Sequence, residues 1–457
     1  MISGSCIAHV RDSPTSTGCG GWRGIALLLF ALALSACPSP DVSGVGKRRE
    51  ASAGQPVTRK YGALVYRGLD AFRVNPSGQQ RAAADNTGRF GRSWTKPTNL
   101  ALDLLTQLVA ERVGLANETT CAEYVSGVLD TLEGLRTFRG LFPEFIKLEG
   151  APHAEVKAGA VRYSTLDSAW VTVALSIVEA RYRAARPTLA RRARTLFERQ
   201  EYSAFVSSGL LSGGSSIDAV TGKVVEAERF SYGDRNSEAR PLVLALVGLG
   251  LLPASAWDEM SYRWTERAGL PLASGYRMSA FVELSGQLFF DEMALAPQSL
   301  GVSHRNYVQA SARVARAKTH AIWGYAPACE PPNGYAEFGL DRPDVVTPYA
   351  AAQLWTTGVP LAEQNLNRVL GALAWSGEPV ADALDPVSLR ARCTDTRMLD
   401  QSLLFLALYV SEVRNLARLT SWYASAEARL REMDHTDRPP VEPSPRASDQ
   451  RVLLGAP

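Results

Sequence analysis

Residues 231–252 read SYGDRNSEARPLVLALVGLGLL, and this stretch decides the fold. Its first part contains Gly233, Asp234 and Asn236, which favour turns, and its second part is apolar on every side. A helix that is apolar all round lies buried within a large domain. The stretch therefore predicts a buried helix at residues 237–252, with Glu238 in its first turn.

An acidic residue in a first turn can simply stabilise its helix, because the helix dipole and the free N–H groups favour an anion there. The arrangement recurs, however. Asp167 begins a second apolar helix in STLDSAW, and Asp400 begins a third in TRMLDQ. Asn99 and Tyr349 stand at the start of two more. If one outer helix separates each of these from the next, their first turns meet at one rim and form a pocket lined with carboxylates.

The first 36 residues are predicted to be an export signal. Residues 24–36, GIALLLFALALSA, form a short apolar segment after Arg23, too short for a membrane-spanning helix. The ending LSAC resembles a bacterial lipobox, which predicts a lipid on Cys37. The alternative is a plain secretory signal in which Cys37 is incidental. We expect an exported protein that is lipid-anchored on the periplasmic or cell-surface side of a bacterial membrane.

The remaining chain is predicted to form one domain between two flexible ends. Residues 37–56 are rich in Pro, Ser, Gly and charge and predict a tether, and residues 437–457 predict a disordered tail. Residues 57–436 suffice for one large core. The net charge is only +3 and the basic residues are dispersed, which does not indicate nucleic-acid binding. The basic cluster at 181–199 is interpreted as a solvated outer helix in preference to a membrane contact.

Beyond Cys37 the chain has three cysteines, Cys121, Cys329 and Cys393. A bond between Cys329 and Cys393 would join two loops on the same rim, but free buried thiols fit the odd count equally well. The five histidines lack the paired spacing of a zinc site, and the chain has no phosphate-binding glycine loop. We therefore expect no metal, no cofactor and a monomer.

Apolar periodicity predicts twelve helices, with strand patterns nearly absent. They cover residues 97–114, 119–135, 165–184, 187–208, 237–252, 255–268, 277–296, 302–319, 346–358, 361–374, 398–412 and 413–432. An ordered arm is predicted at 61–94, and a hairpin arm at 220–232. The odd-numbered helices are the more uniformly apolar, so six pairs favour an all-α (α/α)6 toroid with an inner and an outer ring. A solenoid of helical hairpins is the alternative, but no fixed repeat period supports it.

Residues 320–345 form a long loop rich in Gly and Pro before the ninth predicted helix. The loop contains Trp323, Tyr325, Tyr335 and Phe338 beside acidic residues. Sugar rings stack their C–H faces on aromatic rings, while their hydroxyls take polar groups. A single loop aromatic more often packs locally, but four in one loop favour contact with a ligand.

The motifs SEAR, STLDSAW, TNLALDLL, WGYAP, NGYAEFG and VTPYAAAQLW occur in this chain between residues 98 and 355. Together they resemble the glycoamylase-like domain, which occurs in cyclic β-1,2-glucan synthases and in endo-β-1,2-glucanases; the similarity extends over about residues 94–410. The resemblance implies an (α/α)6 barrel that acts on glucans, with Glu238, Asp167 and Asp400 at one mouth. The family's Phe-Glu pair is altered here, because Glu283 is shifted by one position relative to Phe281.

Hydrolysis of a glycosidic bond needs an acid that protonates the leaving oxygen and a carboxylate that activates water or attacks the sugar. We predict Glu238 as the acid, because an apolar mouth would raise its pKa. Asp400 or Asp167 would be the base, and the other would hold sugar hydroxyls. For Asp167 the alternative is a capping box with Ser164. The candidate substrate-binding residues are Arg240, Trp170, Trp323, Tyr325, Tyr335, Tyr349, Gln401 and Asn99.

Two other functions fit the same pattern. The first is a non-catalytic lipoprotein of the same fold that binds a glycan and uses its acidic residues as helix caps. The second is a toroidal lyase, for which Tyr349 or Tyr276 could serve as the base.

Overall fold

The computed structural model describes residues 55–88, 91–228, 230–330, 334–373, 375 and 378–440. Residues 1–54 and 441–457 lie outside this part, so the predicted signal peptide, Cys37, and most of the predicted tether and tail are not described. The described residues contain fifteen α-helices and fourteen short β-strands.

The helices are α1 (Gln55–Gly68), α2 (Pro97–Arg112), α3 (Glu118–Gly134), α4 (Thr165–Tyr182), α5 (Pro187–Glu198), α6 (Ala239–Gly248), α7 (Ser255–Asp258), α8 (Ala280–Leu284), α9 (Glu292–Leu295), α10 (Leu300–Ala317), α11 (Pro348–Trp355), α12 (Pro360–Ala372), α13 (Met398–Leu408), α14 (Val410–Ala417) and α15 (Tyr423–Thr436). The strands are β1 (Arg73–Val74), β2 (Ala82–Ala83), β3 (Trp94–Thr95), β4 (Ile146–Lys147), β5 (His153–Ala154), β6 (Ala160–Ser164), β7 (Val206–Ser207), β8 (Leu210–Leu211), β9 (Gly214–Asp218), β10 (Val224–Ala227), β11 (Trp264–Arg267), β12 (Leu270–Ala273), β13 (Ala328–Glu330) and β14 (Gly334–Ala336).

Six of these helices form a closed inner ring in the order α2, α4, α6, α8, α11 and α13. α2 packs against α4, α4 against α6, α8 against α11 and α11 against α13, and α13 closes the ring against α2. Between α6 and α8, the Arg240 guanidinium donates to the carbonyl of Glu283 at 2.8 Å, and the Ser285 hydroxyl donates to the carbonyl of Ser237 at 3.3 Å. The predicted helix-rich fold class is confirmed, but the expectation that strands are nearly absent is wrong, because the described connections contain fourteen short strands.

A second set of helices packs around this ring. α3 lies against α2 and α5, α5 against α4, α12 against α11, and α15 against α6. Burial separates the two sets: α4 buries 15 of its 18 residues, whereas α5 buries 5 of its 12, spaced along one stripe. Helices that are apolar all round thus form the inner ring, and amphipathic helices form the outer one.

The predicted helices at 187–208 and 255–268 are both wrong in their second halves. The first ends at Glu198, and β7 and β8 form a hairpin beyond it. In the second, only α7 is helical, and β11 pairs with β12. Its two-residue loop, Ala268 and Gly269, has φ values of 52° and 69°. Two successive residues with positive φ make the tight turn that favours a hairpin and excludes a helix.

The predicted helix at 277–296 is broken into α8, a 3-10 turn at Gly286–Leu288 and α9. A helix cannot start at residue 277, because Arg277 and Met278 have φ values of 55° and 49°.

The segments predicted as arms carry more structure than expected. The N-terminal arm begins with the last part of α1, which packs against α13. The predicted hairpin at 220–232 is part of a three-stranded antiparallel sheet in the order β10, β9 and β6. Because β6 leads directly into α4, this sheet supports the entry to an inner helix.

The basic cluster at 181–199 lies on the outside, as predicted. Arg192 pairs with Asp130 at 2.6 Å and Glu133 at 2.8 Å, and Arg194 pairs with Glu179 at 3.0 Å. These ion pairs satisfy charges on a solvated outer helix. In the described part of the chain, none of the helices combines the length and apolar character required to cross a bilayer.

Cys329 and Cys393 form a disulfide bond, and Cys121 is a buried free thiol. The sequence left open a disulfide bond or free thiols at these two cysteines, and the structure contains the disulfide bond. The bond attaches the β13–β14 hairpin to the loop that precedes α13, and a small apolar cluster that includes Phe338 and Val345 packs around it.

Candidate active site

The N-terminal ends of the inner helices meet at one mouth, as the sequence predicted. Thr98 in α2 donates a hydrogen bond of 2.6 Å to Asp167 in α4. Asp167 in turn acts electrostatically on Glu238, which precedes α6. Tyr349 in α11 lies within the electrostatic reach of both Asp400 in α13 and Glu238. These contacts define the mouth as the surface formed by the first turns of α2, α4, α6, α11 and α13.

Glu238 occupies the N-cap position of α6 without capping it. Its side chain makes no capping hydrogen bond, and among the described residues no hydrogen bond or ion pair holds its carboxyl group. Burial raises the pKa of Glu238 to about 7; the negative charges of Asp167 and Glu337 add to the rise, and Lys96 opposes it. The group is therefore partly protonated at neutral pH. A helix-capping role does not explain this carboxyl group.

The backbone of Asp167 takes part in capping its helix, whereas its carboxylate lies at the mouth. Its backbone N–H donates to the Ser164 hydroxyl at 3.1 Å, so Ser164 caps α4 as predicted. The carboxylate, however, accepts the hydrogen bond from Thr98. The capping alternative thus accounts for Ser164 and the backbone of Asp167, and leaves its carboxylate at the mouth.

Lys96 and Glu144 lie close to Asp167 at the mouth and form an ionisable cluster with it, here named the acidic cluster, although the sequence analysis missed both. Burial alone would lower the pKa of Lys96, but Asp167, Glu144 and Asp85 outweigh it and raise that pKa. Burial, followed by the charge of Asp167, raises the pKa of Glu144, whose Oε1 lies 3.7 Å from Lys96 Nζ. Lys96 directly precedes Pro97 at the start of an inner helix, a placement that could have suggested it. Glu144 lies in irregular structure and gives no such signal.

Asp400 lies beside a second carboxyl group, Asp382, which the sequence analysis also missed. Their exposed fractions are 3% and 1%. No protein N–H or hydroxyl group donates to either oxygen of Asp400, whereas the backbone N–H of Arg397 donates to Asp382 at 2.9 Å. Burial and the proximity of Asp382 raise the pKa of Asp400 well above its usual range, and burial raises the pKa of Asp382 to about 7. The two carboxyl groups therefore hold a proton between them, and it lies mainly on Asp400.

Arg240 does not face the mouth, contrary to the prediction that it binds sugar hydroxyls. Its side chain is fully buried and pairs with Glu292, with Nε to Oε1 at 2.8 Å. The guanidinium also donates to the carbonyls of Arg235 and Glu283 and to the side chain of Asn236. It has no donor left for a ligand. Its helix turns it inward, because residue 240 lies about half a turn away from the mouth-facing Glu238.

Four more predicted substrate-binding residues are buried in the ring wall. Trp170 is 2% exposed and packs on Phe289, and Tyr325 is fully buried. Gln401 exchanges hydrogen bonds of 2.7 and 3.2 Å with the backbone of Val380. The backbone of Trp323, itself 6% exposed, exchanges hydrogen bonds with an asparagine of α12. These side chains shape the wall and are closed to a ligand.

Asn99 and Tyr349 are also buried, and they lie in the first turns of α2 and α11, two of the helices that form the mouth. Asn99 donates to Asp85 Oδ1 at 2.9 Å, and the Tyr349 hydroxyl donates to the carbonyl of Pro327 at 3.0 Å. They hold groups that line the mouth. Neither presents a free face of its own.

Tyr335 is the predicted substrate-binding residue that is well exposed, at 45%. It lies on β14 directly opposite Cys329 of β13, so the disulfide bond to Cys393 fixes the hairpin beneath it. The Arg397 guanidinium lies 4.6 Å from the centre of its ring. An aromatic ring held in this way at a rim offers a flat face for stacking.

Tyr276 provides a second exposed ring, at 37%. Its hydroxyl donates to the carboxylate of Glu337, which also acts on Glu238. The backbone that follows is strained, since Arg277 and Met278 both have positive φ. Gly339 allows this approach, because a Cβ there would lie 1.9 Å from the carbonyl oxygen of Arg277. Strained backbone that tertiary contacts maintain is frequent at binding sites.

Glu283, at the altered Phe-Glu position, lies away from the mouth. It is 1% exposed and accepts hydrogen bonds from the side chains of Asn236, Ser303 and His304. Within the described ranges, no group of three or more His, Cys, Asp or Glu side chains is arranged to hold a metal ion.

Neither a protein-family model nor a curated protein matches this chain. Solved structures do match, at low identity. An endo-β-1,2-glucanase from Chitinophaga pinensis, in complex with sophorotriose and glucose, is 13% identical with a TM-score of 0.67, covering 83% of this chain and 98% of that one. An endo-β-1,2-glucanase variant from Talaromyces funiculosus, in complex with β-1,2-glucan, is 12% identical with a TM-score of 0.66, covering 85% and 92%.

A β-1,2-glucanase from Parabacteroides distasonis is 12% identical with a TM-score of 0.63, and the match covers 83% of this chain and 60% of that one. At identities this low, the structural similarity shows a shared fold and nothing further. The chain therefore has the same helical toroid fold as these β-1,2-glucanases.

Proposed function

We propose that this protein is a glycoside hydrolase that acts on a β-linked glucan, with β-1,2-glucan as the first candidate. The observation that carries the proposal is Glu238, a carboxyl group at the mouth that has no structural partner and a pKa of about 7, beside the carboxylate of Asp167. A carboxyl group that keeps its proton near neutral pH, with a second carboxyl group nearby, is the arrangement that acid and base catalysis requires. The similar structures support the substrate class, since two of them contain β-1,2-linked glucosides.

Glu238 is proposed as the general acid. Its proton passes to the glycosidic oxygen as the bond between that oxygen and the anomeric carbon breaks. A water molecule attacks the anomeric carbon, and a second carboxylate accepts the proton of that water. A general acid works best when its pKa lies near the operating pH, and the burial of Glu238 provides this.

Asp167 is favoured over Asp400 as the base. Asp167 acts on Glu238 as a negative charge and is oriented by the Thr98 hydroxyl. Asp400 is buried beside Asp382 with its pKa well above the usual range, so it carries a proton at neutral pH. Both carboxyl oxygens of Asp400 are buried, so its proposed role is to shape the wall beside the mouth together with Asp382.

The two exposed rings, Tyr335 and Tyr276, are proposed to stack against glucose units of the bound glucan. Glu337 would accept a hydrogen bond from a sugar hydroxyl in addition to that from Tyr276. Stacking on tyrosine uses the apolar face of the sugar and leaves its hydroxyls for the acidic cluster.

The other two functions fit the structure less well. In a glycan-binding protein the acidic residues would serve as helix caps, but the side chain of Glu238 does not cap its helix. A lyase needs a tyrosine base, but burial, followed by Glu337, raises the pKa of Tyr276 to about 12, and burial raises the pKa of Tyr349 well above its usual range. Both tyrosines therefore keep their protons at neutral pH.

The test is a sugar-release assay with the purified full chain on β-1,2-, β-1,3-, β-1,4- and α-glucans. Glu238→Gln should abolish release, whereas Glu123→Gln, at an exposed position of the outer helix α3, should not change it. Binding of the same glucans is measured in parallel by calorimetry. Binding without release by the folded wild-type protein would replace the hydrolase with the glycan-binding lipoprotein, and an unsaturated product would replace it with the lyase.

We also propose that the protein is exported and lipid-anchored at Cys37. The apolar segment and LSAC sequence carry this proposal, and the Cys329–Cys393 disulfide supports it, because such bonds persist in oxidising compartments. Mass spectrometry of the N-terminal peptide should detect a diacylglyceryl group. Cys37→Ser should release the protein from the membrane fraction; a Cys37→Ser protein that stays in that fraction would refute lipid anchoring.

A further inference from the structure

Arg240, two residues after Glu238, belongs to a cluster of four buried charged groups with Glu283, Glu292 and His304, here named the charge network. The exposed fraction of each side chain is 2% or less. Arg240 makes two hydrogen bonds to Glu292, at 2.8 and 3.1 Å. His304 contacts Glu283 through Nδ1 at 2.8 Å and Glu292 through Nε2 at 2.9 Å.

The geometry sets the charge state of this network. Both ring nitrogens of His304 face carboxylate oxygens, and a neutral imidazole can donate from only one of them. Burial alone would lower the pKa of His304, but the two glutamates outweigh it and raise that pKa. His304 is therefore an imidazolium, and two positive charges balance two negative ones.

The network holds the turn that presents Glu238. Arg240 Nη1 donates to the carbonyl of Arg235 at 2.9 Å and to Asn236 Oδ1 at 3.2 Å. Asn236 Nδ2 donates to Glu283 Oε2 at 2.8 Å and to the carbonyl of Ala273 at 3.1 Å. Residues two positions before and two positions after Glu238 are thus fixed by the same charged groups.

Two glycines make room for the network. A Cβ at Gly286 would lie 1.9 Å from Glu292 Oε1, and a Cβ at Gly275 would lie 2.8 Å from Asn236 Nδ2. Neither contact can be accommodated without displacing the charged or amide group. The groups of the network therefore have one arrangement in this packing.

A buried ion network is a poor way to gain stability, since the desolvation of the charges offsets most of their attraction. What such a network can supply is a defined geometry. A misplacement of about 1 Å at a reacting group can cost about 100-fold in rate. The network includes Arg240, two residues after Glu238, and Glu238 is the mouth carboxyl group proposed as the acid; this proximity indicates what that geometry serves.

We propose that the charge network and Asn236 are positioning residues that fix the orientation of Glu238 toward the glycosidic oxygen. This inference rests on the proposed role of Glu238 as the acid. Arg240, Glu283 and His304 are buried and cannot contact a substrate. The inference therefore assigns them an indirect role, which they exert through the position of Glu238.

The test compares Asn236→Ala with Tyr124→Phe in the full chain. Tyr124 donates to the buried Asp103 of a separate network with Arg73, so its variant also removes one hydrogen bond to a buried carboxylate. For Asn236→Ala we expect kcat to fall by about 10- to 100-fold with KM within about twofold, the pattern of a lost transition-state interaction. The alkaline limb of the pH–rate profile should also move. Tyr124→Phe should lower the melting temperature through the loss of its own buried hydrogen bond but should change neither kinetic property.

Gly275→Ala provides a second, smaller perturbation of Asn236 and should act in the same direction if Asn236→Ala does not fold. Equal kinetics for the Asn236 and Tyr124 variants would overturn the inference and leave the network a purely structural element. If the wild-type protein releases no sugar, the proposed function fails, and the crystal structure of the folded Asn236 or Gly275 variant decides. A Glu238 carboxyl group displaced by about 1 Å would support positioning, and an unmoved one would refute it.

Discussion

Thr98 Oγ1 donates a hydrogen bond of 2.6 Å to Asp167 Oδ1, which joins the first turns of two neighbouring inner helices at the mouth. The bond orients the carboxylate proposed as the base. Thr98→Val removes the donor at nearly constant volume, and a hydrogen bond to a charged group is worth about 1.5–3 kcal/mol. We expect kcat to fall by about 10-fold or more. Thr98→Ser keeps the hydroxyl and should stay near wild type, and equal kcat values for the two variants would separate Thr98 from catalysis.

The raised pKa of Glu238 predicts a stability cost that depends on pH. The pKa of Glu238 rises from 4.5 to about 7 on folding, so the folded protein holds this proton more tightly than the unfolded chain does. The bound proton contributes to the free energy of unfolding. This contribution is complete below pH 4.5, where the group is protonated in both states, and it is lost as the pH rises through 7. Glu238→Gln has no such loss. It should therefore be the more stable protein at pH 8, by about 1–2 kcal/mol after allowance for the partial exposure of the group.

Urea unfolding of both proteins at pH 4.5, 6 and 8 measures this difference. It should be small at pH 4.5 and grow toward pH 8. Glu123→Gln on an exposed face of α3 serves as the matched control and should show no trend. A difference for Glu238→Gln that does not vary with pH would mean that the carboxyl group is not perturbed by folding.

The inner ring could be predicted from sequence because its signal is local. The apolar runs around Asp167, Glu238 and Asp400 identify buried helices, and the polar residue at the start of each places it at the mouth. The same local logic failed for residues 259–267, where alternating charge is typical of an outer helix. The positive φ of Ala268 and Gly269 turns the chain into a hairpin, and one glycine does not reveal that geometry.

The partners of the mouth residues could not be predicted, because they come from distant positions. Asp382 lies in a loop 18 positions before Asp400, and Glu144 reaches Lys96 from irregular structure. Arg240 shows the converse error. Its position beside Glu238 suggested a shared role at the mouth, but the helical turn between them sends it to Glu292 in the core. Sequence proximity predicts the element of a side chain better than its direction.

The alkaline limb of the pH–rate profile, which we assign to Glu238 as the general acid, should respond to Glu337. Burial is the main cause of the raised pKa of Glu238, and the negative charge of Glu337 adds to it. Glu337→Gln removes that charge and should move the alkaline limb of kcat/KM, which we expect near pH 7 in the wild type, to lower pH. Tyr276→Phe removes only the hydrogen bond to Glu337 and leaves its charge, so it should not lower the limb. If the alkaline limb does not move in Glu337→Gln, it does not report the titration of Glu238.

The disulfide between Cys329 and Cys393 should control substrate affinity more than the chemical step. It fixes the β13–β14 hairpin, which carries Tyr335 opposite Cys329 and leads to Glu337. The loss of a bond that closes a loop of this kind costs about 2–4 kcal/mol of stability. For Cys393→Ser, and for the wild type under reductant, we expect KM to rise several-fold with a smaller change in kcat. Cys121→Ser, which alters a buried thiol on α3, should respond to reductant as the wild type does. A KM that is unchanged on reduction would show that the hairpin keeps its position without the bond and that Tyr335 does not depend on it.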